Sequence, residues 1–156
     1  MHIEIWSIGK VNEPFIQEGI QYYFKKITPF NSINLQIIPP LKKTPAAIED
    51  IKKQEEELIL KKLKPQHYLI LLDETGDKLS SPQWAKHFQH FMNDSVKTLV
   101  LLIGGAYGVS DAIKKQAKQI WSLSPLVFPH QLVRLILAEQ VYRAFSILHN
   151  SPYHHS

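Results

Sequence analysis

Apolar and polar residues follow one another along the chain in a pattern that predicts strands and helices in regular succession. Five short runs that are apolar or β-branched are typical of strands of a buried sheet. These runs are His2–Ile8, Ile33–Ile38, Tyr68–Leu72, Leu99–Ile103 and Ile120–Leu123. Each is followed by a segment in which apolar residues recur at helical spacing. The strict alternation predicts an α/β fold, a mostly parallel sheet with helices on both faces, in one domain over residues 1–156.

Capping residues and prolines indicate where the helices begin. The predicted N-caps of the second, third and fourth helices are Thr44, either Ser80 or Ser81, and Ser110. Beyond the fifth strand, Leu126–Phe128 predicts another short extended piece around Pro125. The second helix is rich in Glu and Lys and is expected to present a solvated outer face.

The last helix, Gln131–His149, has more apolar positions than a one-sided surface helix needs. Residues predicted to face the sheet are Val133, Leu137, Val141, Ala144 and Leu148. Leu132, Ile136 and Tyr142 then lie on its other side. They either meet a second chain or complete an ordinary core helix, and the pattern leaves both interpretations open.

Composition and charge limit the setting in which the protein works. Cysteine is absent, which excludes disulfides and thiolate metal sites and favours a reducing cytoplasm. No apolar run reaches the roughly 18 residues of a membrane span, and no secretory signal is recognised, so no membrane association is expected. The net charge of +4 mildly favours a polyanionic partner. Only two of the eighteen basic residues are Arg, and Arg134 and Arg143 share the last helix.

Three loops should meet at the carboxyl ends of the predicted strands, where open α/β sheets bind ligands. They are Leu72–Gly76, Gly104–Gly108 and Leu123–Phe128. The glycine-rich loop has neither the Rossmann nor the P-loop pattern, so taken alone it is equally well a tight turn. Apolar residues beside bare backbone N–H groups favour an adenosine and a carboxylate over a triphosphate.

A few polar side chains are candidates for catalysis or metal binding. His87 and His90 lie three residues apart on the third helix, but exposed helix histidines are far commoner than metal ligands, and no metal is predicted. Asp73-Glu74 is expected to be a solvated pair in its loop. Glu139 lies four residues before Arg143, so an ion pair within the helix is the favoured interpretation.

Four motifs in the last third of the chain resemble those of a single family. They read Ile103-Gly104-Gly105-x-x-Gly108, Phe128-Pro129-His130-Gln131-x-x-Arg134, Ala138-Glu139-Gln140-x-Tyr142-Arg143-Ala144 and Pro152-Tyr153-His154. Together they closely resemble the RlmH family, SPOUT-superfamily methyltransferases that act on large-subunit ribosomal RNA. The resemblance extends along the full chain, including the opening Ile8-Gly9-Lys10.

The resemblance implies a deep trefoil knot formed by the C-terminal segment, which general topology rules would not predict. It also implies a homodimer that binds S-adenosylmethionine, in a bent form, within the knot. The positions that would bind this cofactor are Leu72, Gly104, Leu123, Ser124, Pro125, Leu126, Val127 and Phe128. They fall in the same three loops that the strand ends indicate.

The resemblance further implies the substrate. The family methylates N3 of a pseudouridine in helix 69 of 23S rRNA, on assembled ribosomes rather than free RNA, and no DNA partner is expected. The N3–H must lose its proton at or before attack, and His154 is the candidate catalytic base. Arg134 and Arg143 would hold phosphate or developing negative charge. Tyr153 and His154 would contact the substrate base or its phosphate.

The tail departs from the family pattern, because Tyr153-His154 is followed by His155-Ser156 rather than by Arg or Lys. Imidazole is shorter and mostly neutral near pH 7, so rRNA binding is expected to be weaker, more pH-dependent, or carried by a neighbouring Lys. Three other functions compete: a SPOUT enzyme that modifies tRNA or another rRNA base, a non-enzymatic RNA-binding dimer, and a nucleotide-binding domain. The missing phosphate-loop patterns argue against the last.

Overall fold

The computed structural model describes residues 1–155, and its elements alternate between strand and helix as predicted. The strands are β1 (His2–Ile8), β2 (Ser32–Ile38), β3 (His67–Lys78), β4 (Thr98–Ile103) and β5 (Gln119–Ser122). The helices are α1 (Pro14–Ile27), α2 (Ile48–Lys62), α3 (Ser81–Asn93), α4 (Asp111–Gln116) and α5 (His130–Leu148). The sheet order is β2-β1-β4-β3-β5, and every neighbouring pair is parallel. The predicted parallel α/β sheet is confirmed.

The sheet is buried on both faces because alternate side chains of each strand enter different cores. On one face, Ile3, Leu101 and Trp121 belong to a core shared with α1, α3 and α5. On the other face, Trp6 and Leu102 belong to a core shared with α2 and α4. Helices therefore cover both faces as predicted, and β4 lies at the centre of the sheet.

An aromatic cluster holds β5 against α3. The Trp121 ring centre lies 4.7 Å from that of Trp84 and 6.2 Å from that of Phe91. His87 packs 5.1 Å from Trp121, and burial, together with neighbouring positive charge, lowers the pKa of its imidazole. Within residues 1–155, no group of three or more His, Cys, Asp or Glu side chains could hold a metal ion. The cluster anchors the strand that leads into the loop after Ser122.

β3 approaches β5 closely near its end. Trp121 of β5 pairs with Leu72 and again with Asp77, so the residues between Leu72 and Asp77 form an arch in β3 beside β5. Gly76 lies in this arch, and a Cβ there would be 2.6 Å from the carbonyl carbon of Ile120. The prediction that the third strand ends at Leu72 is wrong, because the chain resumes pairing with β5 beyond the arch. The trefoil knot itself stays a prediction.

Another predicted boundary is wrong. α2 begins at Ile48 rather than near Thr44, with the acidic pair Glu49-Asp50 in its first turn, where the helix dipole favours negative charge. Leu126–Phe128, predicted as a short extended piece, lies beyond the last pairing of β5 and is not part of the sheet. The confirmed N-caps of α3 and α4 are Ser80 and Ser110.

α5 is the longest helix that the structure describes, and it packs on α1 and α3. Leu137, Val141 and Ala144 are fully buried as predicted. Leu132 and Ile136 are half-buried, so α5 is a core helix whose opposite side is only partly covered within the chain. Across residues 1–155, no helix combines the length and apolar character needed to span a bilayer.

Candidate active site

A cavity of about 500 Å³ opens at the carboxyl ends of β4 and β5 and beside the arch of β3, the strand that lies between them in the sheet. Its walls come from the arch after Leu72, the glycine-rich turn Gly104–Gly108 and the loop after Ser122, with Lys52 and His130 at its sides. A volume of several hundred cubic ångströms suits a cofactor-sized molecule. The three loops that the strand ends predicted to meet do meet here.

Seven of the eight residues expected to bind the cofactor line this cavity. They are Leu72, Gly104, Leu123, Ser124, Leu126, Val127 and Phe128. Pro125 is exposed and lies outside the cavity wall. Val127 is 91% exposed, so the loop stands away from the body of the protein as an apolar wall. The Ser124 hydroxyl accepts a hydrogen bond from the Leu126 N–H at 3.0 Å and shapes this loop.

The glycine-rich turn is both a tight turn and part of the cavity wall, so the two interpretations of its sequence coexist. Gly108 has a φ of +78°, which favours glycine, and its N–H donates to the Gly105 carbonyl at 3.0 Å. A Cβ on Gly104 would lie 2.8 Å from Cγ1 of Val109. The turn therefore offers a ligand backbone without side chains.

Behind this turn lies a buried carboxyl that the sequence pattern did not indicate. Glu55 of α2 is only 9% exposed, and its Oε1 would lie 2.5 Å from a Cβ on Gly105. Burial raises the pKa of Glu55. Glu56 is buried as well, and it accepts hydrogen bonds from Ser110 and Lys53, each at 2.7 Å. The expectation that the acidic run of α2 is simply a solvated face is wrong for these two residues.

Glu55→Gln is expected to stabilise the protein at neutral pH, because the amide needs no charge to be buried. An acid whose pKa is raised on folding stabilises the folded state below its unfolded pKa, near 4.5, and that contribution is lost as pH rises through the folded pKa. The variant should therefore match the wild type in acid and exceed it at neutral pH. Urea denaturation across this range measures the gap, and a gap that does not change with pH would contradict the burial of a titrating carboxyl.

Asp73 is an oriented carboxylate in the cavity wall. Its Oδ1 accepts hydrogen bonds from the Thr75 amide at 2.9 Å and from the Thr75 hydroxyl at 2.5 Å. Burial opposes ionisation, but these hydrogen bonds and the nearby charges of Lys114 and Lys52 outweigh it and lower the pKa of Asp73. The expectation of a solvated pair is correct for Glu74, which is exposed. It is wrong for Asp73, which is half-buried and hydrogen-bonded to Thr75. The sequence does contain a signal for this turn, because an Asp side chain often accepts a hydrogen bond from the backbone two residues further on.

Arg134, expected to hold phosphate or developing charge, is enclosed by the protein with an exposure of 1%. Its Nε donates to the Ser7 hydroxyl at 2.7 Å, and its Nη1 donates to the Lys10 carbonyl and to Asn12 Oδ1, each at 2.8 Å. Burial lowers the pKa of the guanidinium. No carboxylate of residues 1–155 forms an ion pair with it. These contacts tie α5 to the end of β1 and to the loop after it, and they favour a positioning role over direct contact with RNA.

The C-terminal tail packs along α5. Glu139 accepts hydrogen bonds from Arg143 and from the Tyr153 hydroxyl, the latter at 3.0 Å, so the predicted ion pair of Glu139 and Arg143 is confirmed. The Arg143 guanidinium lies 4.8 Å from the centre of the Tyr153 ring. Burial, with hydrogen bonds to Tyr23 and Glu139, raises the pKa of Tyr153. Ser156, the last residue of the tail, lies outside the described residues.

His154 is oriented by Arg143, whose Nη1 lies 3.2 Å from Nδ1 of the imidazole. Because a guanidinium can only donate, Nδ1 accepts this hydrogen bond, and a neutral ring then carries its hydrogen on Nε2. Nε2 is buried and has no hydrogen-bond partner among residues 1–155. In this arrangement His154 has no free acceptor nitrogen, because Nδ1 is engaged and Nε2 carries a buried hydrogen, which argues against the expected role as a base.

The tail and the cavity lie far apart along α5. His130 lines the cavity at the start of the helix, and burial and the charge of Arg134 lower the pKa of its imidazole. Arg143, which holds the tail, lies about 20 Å further along the helix axis at 1.5 Å per residue. The structure therefore brings the expected cofactor positions together but leaves His154 outside the cavity of its own chain.

A parallel sheet with a cofactor-sized cavity at its strand ends, walled by a glycine turn and an apolar loop, defines a small-molecule-binding α/β protein. Comparison with known families is more specific. The family described as "Predicted SPOUT methyltransferase" matches residues 1–154. The chain belongs to the SPOUT methyltransferase family.

Curated relatives match the chain along its whole length. A protein of Flavobacterium johnsoniae is 45% identical over 156 residues, covering 99% of each chain. One of Parabacteroides distasonis is 41% identical over 156 residues, also covering 99% of each. One of Cytophaga hutchinsonii is 39% identical over 155 residues, covering 99% of this chain and 100% of the relative. All three are called Ribosomal RNA large subunit methyltransferase H, so the resemblance seen in the motifs is confirmed.

Proposed function

We propose that the protein is an S-adenosylmethionine-dependent methyltransferase that methylates N3 of a pseudouridine in helix 69 of 23S rRNA. It acts as one SPOUT domain, on assembled ribosomes, in the cytoplasm. The observation that carries the proposal is that seven implied cofactor positions line a single cavity. Relatives named for large-subunit rRNA methylation, similar along the full length of the chain, support the choice of substrate.

The cavity suits the proposed cofactor in size and chemistry. S-adenosylmethionine supplies a methyl group on a positively charged sulfur, which is already electrophilic. Leu123, Leu126 and Phe128 offer apolar surface to a planar base, and the turn at Gly104 permits close approach of a ligand. The task of the protein is to hold the acceptor nitrogen in line with the methyl group, and such positioning supplies much of the acceleration.

The tail provides the groups that act on the substrate base. A uridine-like base gains negative charge when N3 loses its proton, and N–H donors beside it stabilise that charge. Arg143 is such a donor, and the Nε2–H of His154, buried and without a partner in the single chain, becomes a second one when the substrate engages the tail. Tyr153, held beside Arg143, supplies a ring on which an unstacked base can rest. Arg134 contributes from within the protein, because it fixes the start of α5.

A homodimer brings these groups to the cofactor cavity. In one chain they are separated from it by about 20 Å along α5, which is too far for both to act on one base. α1 carries exposed apolar residues, with Phe15 69% and Tyr22 55% exposed, and α5 carries the half-buried Leu132 and Ile136. A second copy packed on this surface would cover it and place the tail of one subunit near the cavity of the other.

His154→Ala is expected to lower the single-turnover rate of methyl transfer about a hundredfold. His154→Gln should recover about a tenth of the wild-type rate or more, because its amide can donate a hydrogen bond where the Nε2–H does. Loss of a base would reduce both variants equally, since an amide does not accept a proton at neutral pH. Rates are measured at saturating cofactor, with ribosome affinity measured alongside, and equal rates for the two variants would contradict the donor role.

The substrate is tested by transfer of a labelled methyl group from S-adenosylmethionine to ribosomes that lack this modification, beside naked 23S rRNA and tRNA. The proposal predicts label on ribosomes alone. Label on tRNA would leave the cofactor intact but contradict the substrate. If folded protein labels none of the three RNAs, the methyltransferase proposal fails and a non-enzymatic RNA-binding role replaces it.

A further inference from the structure

Side chains of opposite charge line the cofactor cavity near one another. Asp73 and Lys114 line it, Lys52 lines it from α2, and both ammonium groups act on the Asp73 carboxylate. We propose that this wall binds the amino-acid end of the methyl donor. Asp73 pairs with the α-ammonium group, and Lys114, assisted by Lys52, pairs with the α-carboxylate. The assignment rests on the proposed function and adds the residues that recognise the zwitterion.

Only one of the two carboxylate oxygens of Asp73 accepts the hydrogen bonds from Thr75, so the other can contact a ligand. Oδ1 accepts both hydrogen bonds from Thr75, which fixes the carboxylate in place. Oδ2 lies on the side of the glycine turn, 4.0 Å from the position of a Cβ on Gly108. Gly108 adds no side chain on this side, and both residues line the cavity. A carboxylate oxygen held in the wall of a ligand cavity is complementary to an ammonium group.

The two lysines supply the opposite charge. Lys52 and Lys114 are half-buried, and neither forms an ion pair with any carboxylate of the described chain, residues 1–155. Lys53, the next residue along α2, is instead paired with Glu56 at 2.7 Å. The lysines of the cavity wall thus keep their charge available for a ligand carboxylate.

The presence of both negative and positive side chains in the cavity wall favours one class of ligand over the others. A nucleoside alone would leave all three charges of the wall without a partner. A nucleotide would gain the lysines but would bring its phosphate against the Asp73 carboxylate. An α-amino acid group satisfies both signs at once, and the apolar loop with Leu123 and Phe128 remains for the adenosine.

Calorimetric titration with three ligands tests the assignment without any catalytic turnover. S-adenosylhomocysteine carries both the α-ammonium and the α-carboxylate, its decarboxylated analogue carries only the ammonium, and methylthioadenosine carries neither. Asp73→Asn keeps an acceptor for Thr75, so the turn is preserved. Asp77→Asn is the matched control, because it removes the same charge from an exposed position outside the cavity.

Asp73→Asn should weaken binding of S-adenosylhomocysteine and of the decarboxylated analogue by roughly tenfold to a hundredfold. Methylthioadenosine should bind both proteins equally, and Asp77→Asn should change none of the three affinities. If Asp73→Asn weakens all three ligands to the same degree, or none of them, the ammonium contact is overturned. If the wild type binds none of the three, the proposed function falls and the assignment falls with it.

Lys114→Met tests the other half of the zwitterion, with the exposed Lys115→Met as its control on the same helix. Lys114→Met should weaken S-adenosylhomocysteine about tenfold and leave the decarboxylated analogue unchanged. If it leaves S-adenosylhomocysteine unchanged but weakens ribosome binding, the carboxylate contact is overturned and Lys114 belongs to the RNA-binding surface instead.

Discussion

Gly76→Ala is expected to lower the free energy of unfolding by about 3 kcal/mol and to weaken ligand binding in the cavity. The added Cβ would lie 2.6 Å from the carbonyl carbon of Ile120 and 2.7 Å from that of Trp121. Both are main-chain atoms of β5 and cannot rotate aside as a side chain can. Either the arch or β5 must therefore move, and Trp121 pairs with β3 on both sides of the arch. The same shift would displace the cavity walls that the two segments carry.

Gly19→Ala is the matched control for this substitution. Its Cβ would lie 2.8 Å from Cδ1 of Leu135, which is the movable end of a side chain. Alanine also favours a helix interior over glycine by about 1 kcal/mol, so little net change is expected. Denaturation followed by tryptophan fluorescence compares the two variants with the wild type. If Gly76→Ala is as stable as Gly19→Ala, the close approach of Gly76 to the main chain of β5 is contradicted.

Arg134→Ala should lower the free energy of unfolding by a similar amount, about 3 kcal/mol. The substitution empties a fully buried volume and removes the donor shared by the Ser7 hydroxyl, the Lys10 carbonyl and Asn12 Oδ1. Buried acceptors that lose their donor and gain no water destabilise the folded state. Urea denaturation at neutral pH measures the loss. Cofactor affinity should fall in parallel, because α5 begins in the cavity wall.

Two further variants separate positioning from substrate contact. Arg134→Lys should be intermediate, because an ammonium group cannot reproduce the fork geometry of a guanidinium. Arg143→Ala should change stability by less than about 1 kcal/mol, since its ion pair with Glu139 is partly exposed. It should nevertheless lower methyl transfer strongly. The division of roles is contradicted if Arg143→Ala unfolds the protein while Arg134→Ala leaves its stability unchanged.

The local pattern of apolar residues predicts the strands of the sheet, but it does not predict the renewed pairing of β3 with β5 beyond Leu72. The centres of β3 and β4 could be predicted because these strands bury side chains on both faces, which produces continuous apolar runs. The end of β3 could not, because Asp77 and Lys78 are polar and pair with β5 across the arch. That pairing depends on tertiary geometry, and nothing in the sequence around Asp77 differs from an ordinary loop.

The burial of Glu55 and Arg134 could not be predicted either, because it depends on residues far away in the sequence. Glu55 lies in a charged run that is typical of a solvated helix, yet it is buried because Gly105 on another element leaves room for its carboxylate. The sequence of α5 does not distinguish Arg134, which is fully buried, from Arg143, which is only half-buried. The hydroxyl that receives the Arg134 guanidinium belongs to Ser7, which is 127 residues away along the chain. A helix pattern carries no information about such a partner.

Part of the candidate site could be predicted from the sequence, and part depends on the folded structure. Strand ends alone predicted that three loops would meet, and the motifs predicted which of their residues face a cofactor. The charged wall of Asp73, Lys52 and Lys114 was not predicted, because these residues come from three separate elements that only the folded sheet brings together. The placement of His154 against Arg143, away from its own cavity, also depends on how the tail folds back along α5.

The position of the transferred methyl group on rRNA tests the proposed activity most directly. Ribosomes that lack the modification are incubated with the protein and with S-adenosylmethionine carrying a deuterated methyl group, and nuclease fragments of the 23S rRNA are then weighed by mass spectrometry. The proposed activity predicts a single labelled methyl group, at N3 of a pseudouridine in helix 69, when the ribosome is assembled. A labelled methyl group on any other nucleotide would contradict it, as would unlabelled rRNA after incubation with folded protein that binds the cofactor.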